Sequence, residues 1–155
     1  MANKLKVYFI LILLSLPSTS FSSEMSIKDI IESQKEEGSG PAVIISSAVG
    51  KLNPGSTEFH VVLYRYETGE SRDRTGRQYL SIFSNKRGKF RELHRLLIGD
   101  RLTQSFSTVN FDEIGLITLS GLARANTDPL CCPSKNIGLQ FFFSYGNLIP
   151  KAYES

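Results

Sequence analysis

Apolar residues recur at two different periods along this chain. Between residues 26 and 37, Ile27, Ile30 and Ile31 stand at i, i+3 and i+4, with Lys28, Asp29, Glu32, Lys35 and Glu36 on the other side. That spacing predicts a short amphipathic helix, opened by the capping-box variant Ser26 and Asp29 and stopped by Gly38. Past the Gly/Pro-rich breaker at 38–41 the signature changes to β-branched and aromatic runs of strand length, at 42–49, 58–66, 79–83, 105–110, 114–122 and 139–145. Turn and loop chemistry separates them: Asn53 to Ser56, the polar stretch 67–77, Asn85 to Gly88, Asp112-Glu113 and Gly146-Asn147. In the last long run Leu139, Phe141, Phe143 and Tyr145 share one face and Gln140, Phe142 and Ser144 the other. Gly146-Asn147 then opens a terminal hairpin whose second strand ends at Pro150. Segment 89–98 places Phe90, Leu93, Leu96 and Leu97 at helical spacing, yet it sits where a hairpin partner for 79–83 belongs; the context leans to strand. Connections this short cannot make parallel crossovers. The pattern therefore predicts an α+β, mainly β fold: a short N-terminal helix packed on a meandering antiparallel sheet that can curl into a partial barrel.

The beginning of the chain reads differently. Lys4 and Lys6 precede an apolar run from 7 to 16, then Pro17 and small polar residues with Ser20 and Ser22 placed at −3 and −1 of a cleavage site. This is the grammar of a secretory signal, and the run is shorter than the roughly 20 residues of a membrane span. The expectation is a signal peptide over 1–22 and one exported, periplasmic or secreted domain over 23–155. With those two lysines removed, the net charge falls from +3 to +1, so mild basicity gives no argument for a nucleic-acid partner. The distribution is more informative, because residues 65–101 hold ten basic and five acidic side chains between two weakly acidic flanks.

Both cysteines stand side by side in Asp128-Pro129-Leu130-Cys131-Cys132-Pro133-Ser134. In an oxidising compartment thiols tend to pair, but adjacent Cα atoms are about 3.8 Å apart, under the usual disulfide range of about 4.4–6.8 Å. A Cys131–Cys132 bond would be a strained vicinal ring. Two reduced thiols, or a bridge to another chain, are the alternatives. This motif, followed by an aromatic strand and a Gly-containing hairpin over 139–151, resembles a group of exported bacterial proteins of unknown function that includes the LppP/LprE type of lipoprotein. The resemblance extends over roughly residues 42–151 and implies no activity. Many members of that group carry an Asp-rich calcium-like turn where this chain has Leu52 to Thr57 with no carboxylate before Glu58, so no calcium site is carried over.

Catalytic templates are missing: no Gly-x-Ser-x-Gly, His-Glu-x-x-His, Cys-x-x-Cys or phosphate-binding glycine loop occurs. No cofactor is implied, and His60 and His94 read as structural. Two functions of different class follow. The first is a non-enzymatic exported protein that binds an anionic envelope ligand or a protein partner through Arg72, Arg74, Arg77, Lys86 and Arg87, provided that the loop and the turn carrying them meet at one end of the sheet. The second is a thiol-redox or soft-metal role at Cys131 and Cys132.

Overall fold

The computed structural model describes residues 25–52, 56–68, 76–100, 103–129 and 132–151; the signal-peptide expectation over 1–22 lies outside them. Helix α1 (Ile27–Ser33) leads into β1 (Ser39–Lys51), β2 (Glu58–Thr68), β3 (Gln78–Lys86) and β4 (Lys89–Gly99). After them come β5 (Gln104–Phe111), β6 (Leu116–Ala123), β7 (Lys135–Ser144) and β8 (Asn147–Pro150). The meander divides into two four-stranded antiparallel sheets, ordered β1-β2-β3-β4 and β5-β6-β7-β8. They do not close into a barrel. The ambiguous segment 89–98 is strand.

The capping box is formed: Ser26 Oγ accepts from Asp29 N at 3.2 Å and Asp29 Oδ2 accepts from Ser26 N at 3.0 Å. The helix nevertheless ends at Ser33, earlier than residue 37. Its last turn has no basic residue, Glu36 and Glu37 follow against the negative end of the helix dipole, and the Ser33 hydroxyl bonds back to the Ile30 carbonyl at 2.7 Å.

The inner faces of the two sheets meet in one core. Val61, Leu63, Leu80, Ile82 and Ile98 come from the first sheet, and Phe106, Val109, Ile117, Leu119, Phe141 and Phe143 from the second. Each such side chain removed from water contributes about 1.5–3 kcal/mol. Polar side chains stitch the sheets together. Gln78, buried, donates to the Phe106 carbonyl at 3.1 Å and accepts from the Phe106 amide at 2.7 Å, standing in for a strand where the register of β5 on β6 shifts. Ser46 Oγ accepts from Val109 N at 3.2 Å, tying β1 to β5.

The first sheet is apolar on its outer face as well. Ile31, Ala42, Val62, Tyr64, Tyr66 and Phe83 form a second cluster under α1, joined by Ile27, Ile30, Tyr79 and Phe90. This explains β4, whose Leu93 and Leu96 face the inner core while Phe90 faces the outer cluster. A register shift pairs Ile82 with His94 and Phe83 with Glu92, leaving Leu93 as the extra residue. Burial on two faces plus a bulge erases the period-2 alternation.

Candidate binding site

In an antiparallel meander successive connections alternate between the two ends. The β2–β3 connection, which carries Arg77, therefore lies at the opposite end of β3 from the β3–β4 turn, which carries Lys86 and Arg87. Nine residues of strand separate them by roughly 30 Å. The gathering of all five cations is thus corrected: Arg77 does not join Lys86 and Arg87, but sits with Nη1 3.4 Å from both carboxylate oxygens of Glu36. Arg72 and Arg74 lie outside the described residues.

Lys86 and Arg87 find other company. The β1–β2, β3–β4, β5–β6 and β7–β8 connections all gather at one end of the molecule, called here the turn end. There Lys51, Lys86 and Arg87 frame an open hollow of about 370 Å³ together with Thr57, Glu58 and Gly88. Asn85 builds its floor, accepting from Gly88 N and donating to Glu58 Oε1, each at 3.0 Å. Glu58 also accepts from His60 Nε2 at 2.9 Å; these bonds, that of His60 before that of Asn85, hold its carboxyl below the usual range. The one carboxylate of the hollow is therefore ionised and engaged. His60 itself packs edge-on to Phe90, 5.0 Å between centroids, a structural placement.

Beside the hollow opens an apolar cleft of about 1070 Å³, lined by Leu52, Phe59, Leu93, Ile114, Phe142 and Tyr145 among others. Strand alternation makes the two sites back to back: Lys51 and Glu58 border the hollow while their chain neighbours Leu52 and Phe59 border the cleft. The rim is rigid. Asp112 Oδ1 accepts from Ile114 N at 3.1 Å and Leu116 N at 2.8 Å, and Phe143 N donates to the Gly115 carbonyl at 2.8 Å. Gly115 has φ +85, and a Cβ there would stand 2.9 Å from the Phe143 carbonyl oxygen. Ile114, read from sequence as the start of a strand, belongs to this turn and is 73% exposed. Tyr145 is likewise moved out of the strand: β7 ends at Ser144, and Tyr145 does not share the inward face of Phe143 but is fully exposed.

Two hairpin turns at this end have the same shape. Arg87 and Gly88 have φ of 56° and 82°, and Tyr145 and Gly146 have 49° and 82°. Two consecutive left-handed residues make the type I′ geometry, which favours Asn, Asp or Gly at the first position. An Arg and a Tyr stand there instead, in a conformation that costs an ordinary residue about 1–2 kcal/mol.

The cysteine loop lies at the far end, in the β6–β7 connection. Asp128 clamps it: its carboxylate accepts from Ser134 Oγ at 2.6 Å, Ala125 N at 2.7 Å and Ser134 N at 2.8 Å. The Ser134 hydroxyl first, then the Ala125 amide, hold the Asp128 carboxyl below its ordinary range. Cys132 is disulfide-bonded. The chain's other cysteine, Cys131, lies outside the described residues. Among the described residues no three of His, Cys, Asp and Glu gather as a metal-binding group.

Sequence reasoning missed that Lys51 borders one hollow with the Lys86–Arg87 turn and that Ile114 and Tyr145 lie at the same end; the parity of the connections along the meander was the signal that could have grouped them. It also missed a polar group under α1. There Ser81 Oγ donates to Glu92 Oε1 at 2.7 Å, Gln34 Nε2 to Glu92 Oε2 at 2.6 Å, and Arg95 Nε to Glu92 Oε1 at 3.4 Å. Arg95 also lies over the Tyr79 ring, 5.7 Å from its centroid. Among the described residues its Nη2, which is buried, has no hydrogen-bond partner. Comparison with known proteins finds no matching family model, no matching curated protein and no matching solved structure.

Proposed function

We propose that the protein is a non-enzymatic, exported binding protein that holds an anionic component of the cell envelope at its turn end, through Lys51, Lys86 and Arg87. The observation that carries this reading is the hollow itself: three cations border it, and its one carboxylate, Glu58, is already bonded to His60 and Asn85. An anion entering there meets a net positive field and donors suited to phosphate or carboxylate oxygens. Among the described residues no helix is long and apolar enough to cross a membrane.

The test compares two ends of β3. Retention of the protein on envelope fractions is measured against salt for the wild type, for Lys86→Gln with Arg87→Gln, and for Arg77→Gln. The double variant is expected to release at lower salt, and Arg77→Gln to behave as wild type. Equal release of wild type and double variant would overturn the reading.

The second reading, a thiol-redox or soft-metal role at Cys131 and Cys132, draws on the disulfide at Cys132. The Asp128 clamp around that loop favours a stiffening role for the bond over an exchanging one. Intact-mass measurement of periplasmic protein with and without reductant separates the two: a bond that survives mild reductant supports stiffening, and ready conversion to free thiols supports redox chemistry.

A further inference from the structure

The cations of the turn end share that end of the molecule with the two most exposed large apolar side chains among the described residues, Tyr145 and Ile114. Neither exposure is a loose end. Ile114 is fixed by the Asp112 bonds to its own amide and to Leu116 N, and Tyr145 is held at the tip of a tight hairpin with a left-handed backbone. Strained backbone that persists at an exposed tip points to use of the side chain it displays, and the same strain recurs at Arg87 on the other sheet.

A small soluble anion would satisfy Lys51, Lys86 and Arg87 yet leave Ile114 and Tyr145 in water. A bilayer with anionic headgroups satisfies both sets. Tyr is suited to the boundary between headgroups and acyl chains, with its ring in the apolar layer and its hydroxyl in the wet one. Cations near an anionic leaflet each strengthen binding by about fivefold. The apolar parts are separate turn tips flanking an open cleft, and a fluid surface conforms to separate points where a rigid protein partner would need a matching relief. From this we infer that the turn end docks on an anionic lipid bilayer, Ile114 and Tyr145 entering the interface and Lys51, Lys86 and Arg87 meeting headgroup phosphates. The inference rests on the anion-binding reading above and adds the source of the anion.

The acidic groups at this end define its weak point. Glu58 is bonded to His60 and Asn85, and Asp112 to backbone amides. Glu113 lines the cleft beside Ile114 and opposes an anionic surface, so Glu113→Gln is expected to strengthen docking severalfold.

The chain contains no Trp, so Tyr145→Trp places a single reporter at the tip without disturbing a buried contact. Its emission is followed with vesicles of phosphatidylglycerol and phosphatidylethanolamine, with phosphatidylcholine vesicles, and with inorganic phosphate alone. A blue shift and quenching by brominated acyl chains are expected with the anionic vesicles only. In co-sedimentation, Ile114→Ser is expected to lower partitioning about tenfold, and Lys86→Gln with Arg87→Gln by tenfold or more, with unchanged melting curves. If the protein sediments with anionic vesicles while the Trp stays in water, bilayer insertion is overturned and the anion-binding reading stands. Sedimentation with neither vesicle type, with envelope retention indifferent to the double variant, overturns both. An equal shift on both vesicle types overturns the role of the headgroup charge.

Discussion

Two regions of this molecule are built from the same kinds of residue and do opposite things with them. Under α1, Tyr64, Tyr66 and Tyr79 pack ring against ring with centroids 5.5–5.9 Å apart, Arg95 lies over Tyr79 and reaches Glu92, and the Tyr66 hydroxyl donates to the Ile31 carbonyl at 2.8 Å. At the turn end Tyr145, Ile114 and Arg87 are exposed on turns, and Lys51 and Lys86 at the strand ends that lead into them. In the first region the rings and the Glu92 carboxylate are packed against or bonded to neighbours in the fold, so composition there reports on stability. In the second, the left-handed backbone at Arg87 and Tyr145 holds side chains where the fold gains little from them, so composition there reports on contact with something else.

The largest effect that would sharpen this contrast is Tyr64→Ala. Removing a fully buried aromatic ring lowers the unfolding free energy by about 3–5 kcal/mol, read from urea midpoints, with envelope retention unchanged per folded molecule. Next comes alkaline pH. Burial pushes the Tyr64 hydroxyl, and that of Tyr66, above the ordinary value. The folded state therefore favours the neutral phenols, and the stability that this contributes is complete below about pH 10 and is lost as pH rises beyond it. Urea midpoints should fall as pH rises above about 10, and Tyr64→Phe, which keeps the ring, should flatten that fall. A smaller effect belongs to Tyr66→Phe, which leaves the Ile31 carbonyl without its hydroxyl donor and costs about 1 kcal/mol, loosening α1 in hydrogen exchange. The smallest change, with the opposite sign, is Tyr145→Asn. Asn suits the first left-handed position of a type I′ turn, so the melting temperature should rise, by no more than about 4 °C, while binding weakens. A drop in stability at Tyr145→Asn would break the comparison, since it would mean that the tip residue serves the fold.

The strand meander was legible because turn chemistry and short connections leave no parallel solution, and the capping box gave the start of α1 to the residue. The helix end was not, since Gly38 is a plainer stop signal than the acidic residues and the Ser33 back-bond that act earlier. Ile114 and Tyr145 were absorbed into strands because apolar residues beside strands read as their continuation; the Asp112 bonds to Ile114 N and Leu116 N and the left-handed Gly115, Tyr145 and Gly146 take them out. The grouping of Arg77 with Lys86 and Arg87 failed on topology: sequence proximity across one strand means opposite ends. The helix-covered face left a trace that could have been used. Val61 to Tyr64 is an unbroken apolar run, the mark of a strand buried on both sides.

Hydrogen exchange with and without anionic vesicles tests the central claim, that the turn end is the contacting surface, most directly. The account predicts new protection at amides 86–89, 113–116 and 144–147, and no change under α1 at 27–33. Protection centred on α1, or none at the three turns while the protein is vesicle-bound, would contradict it.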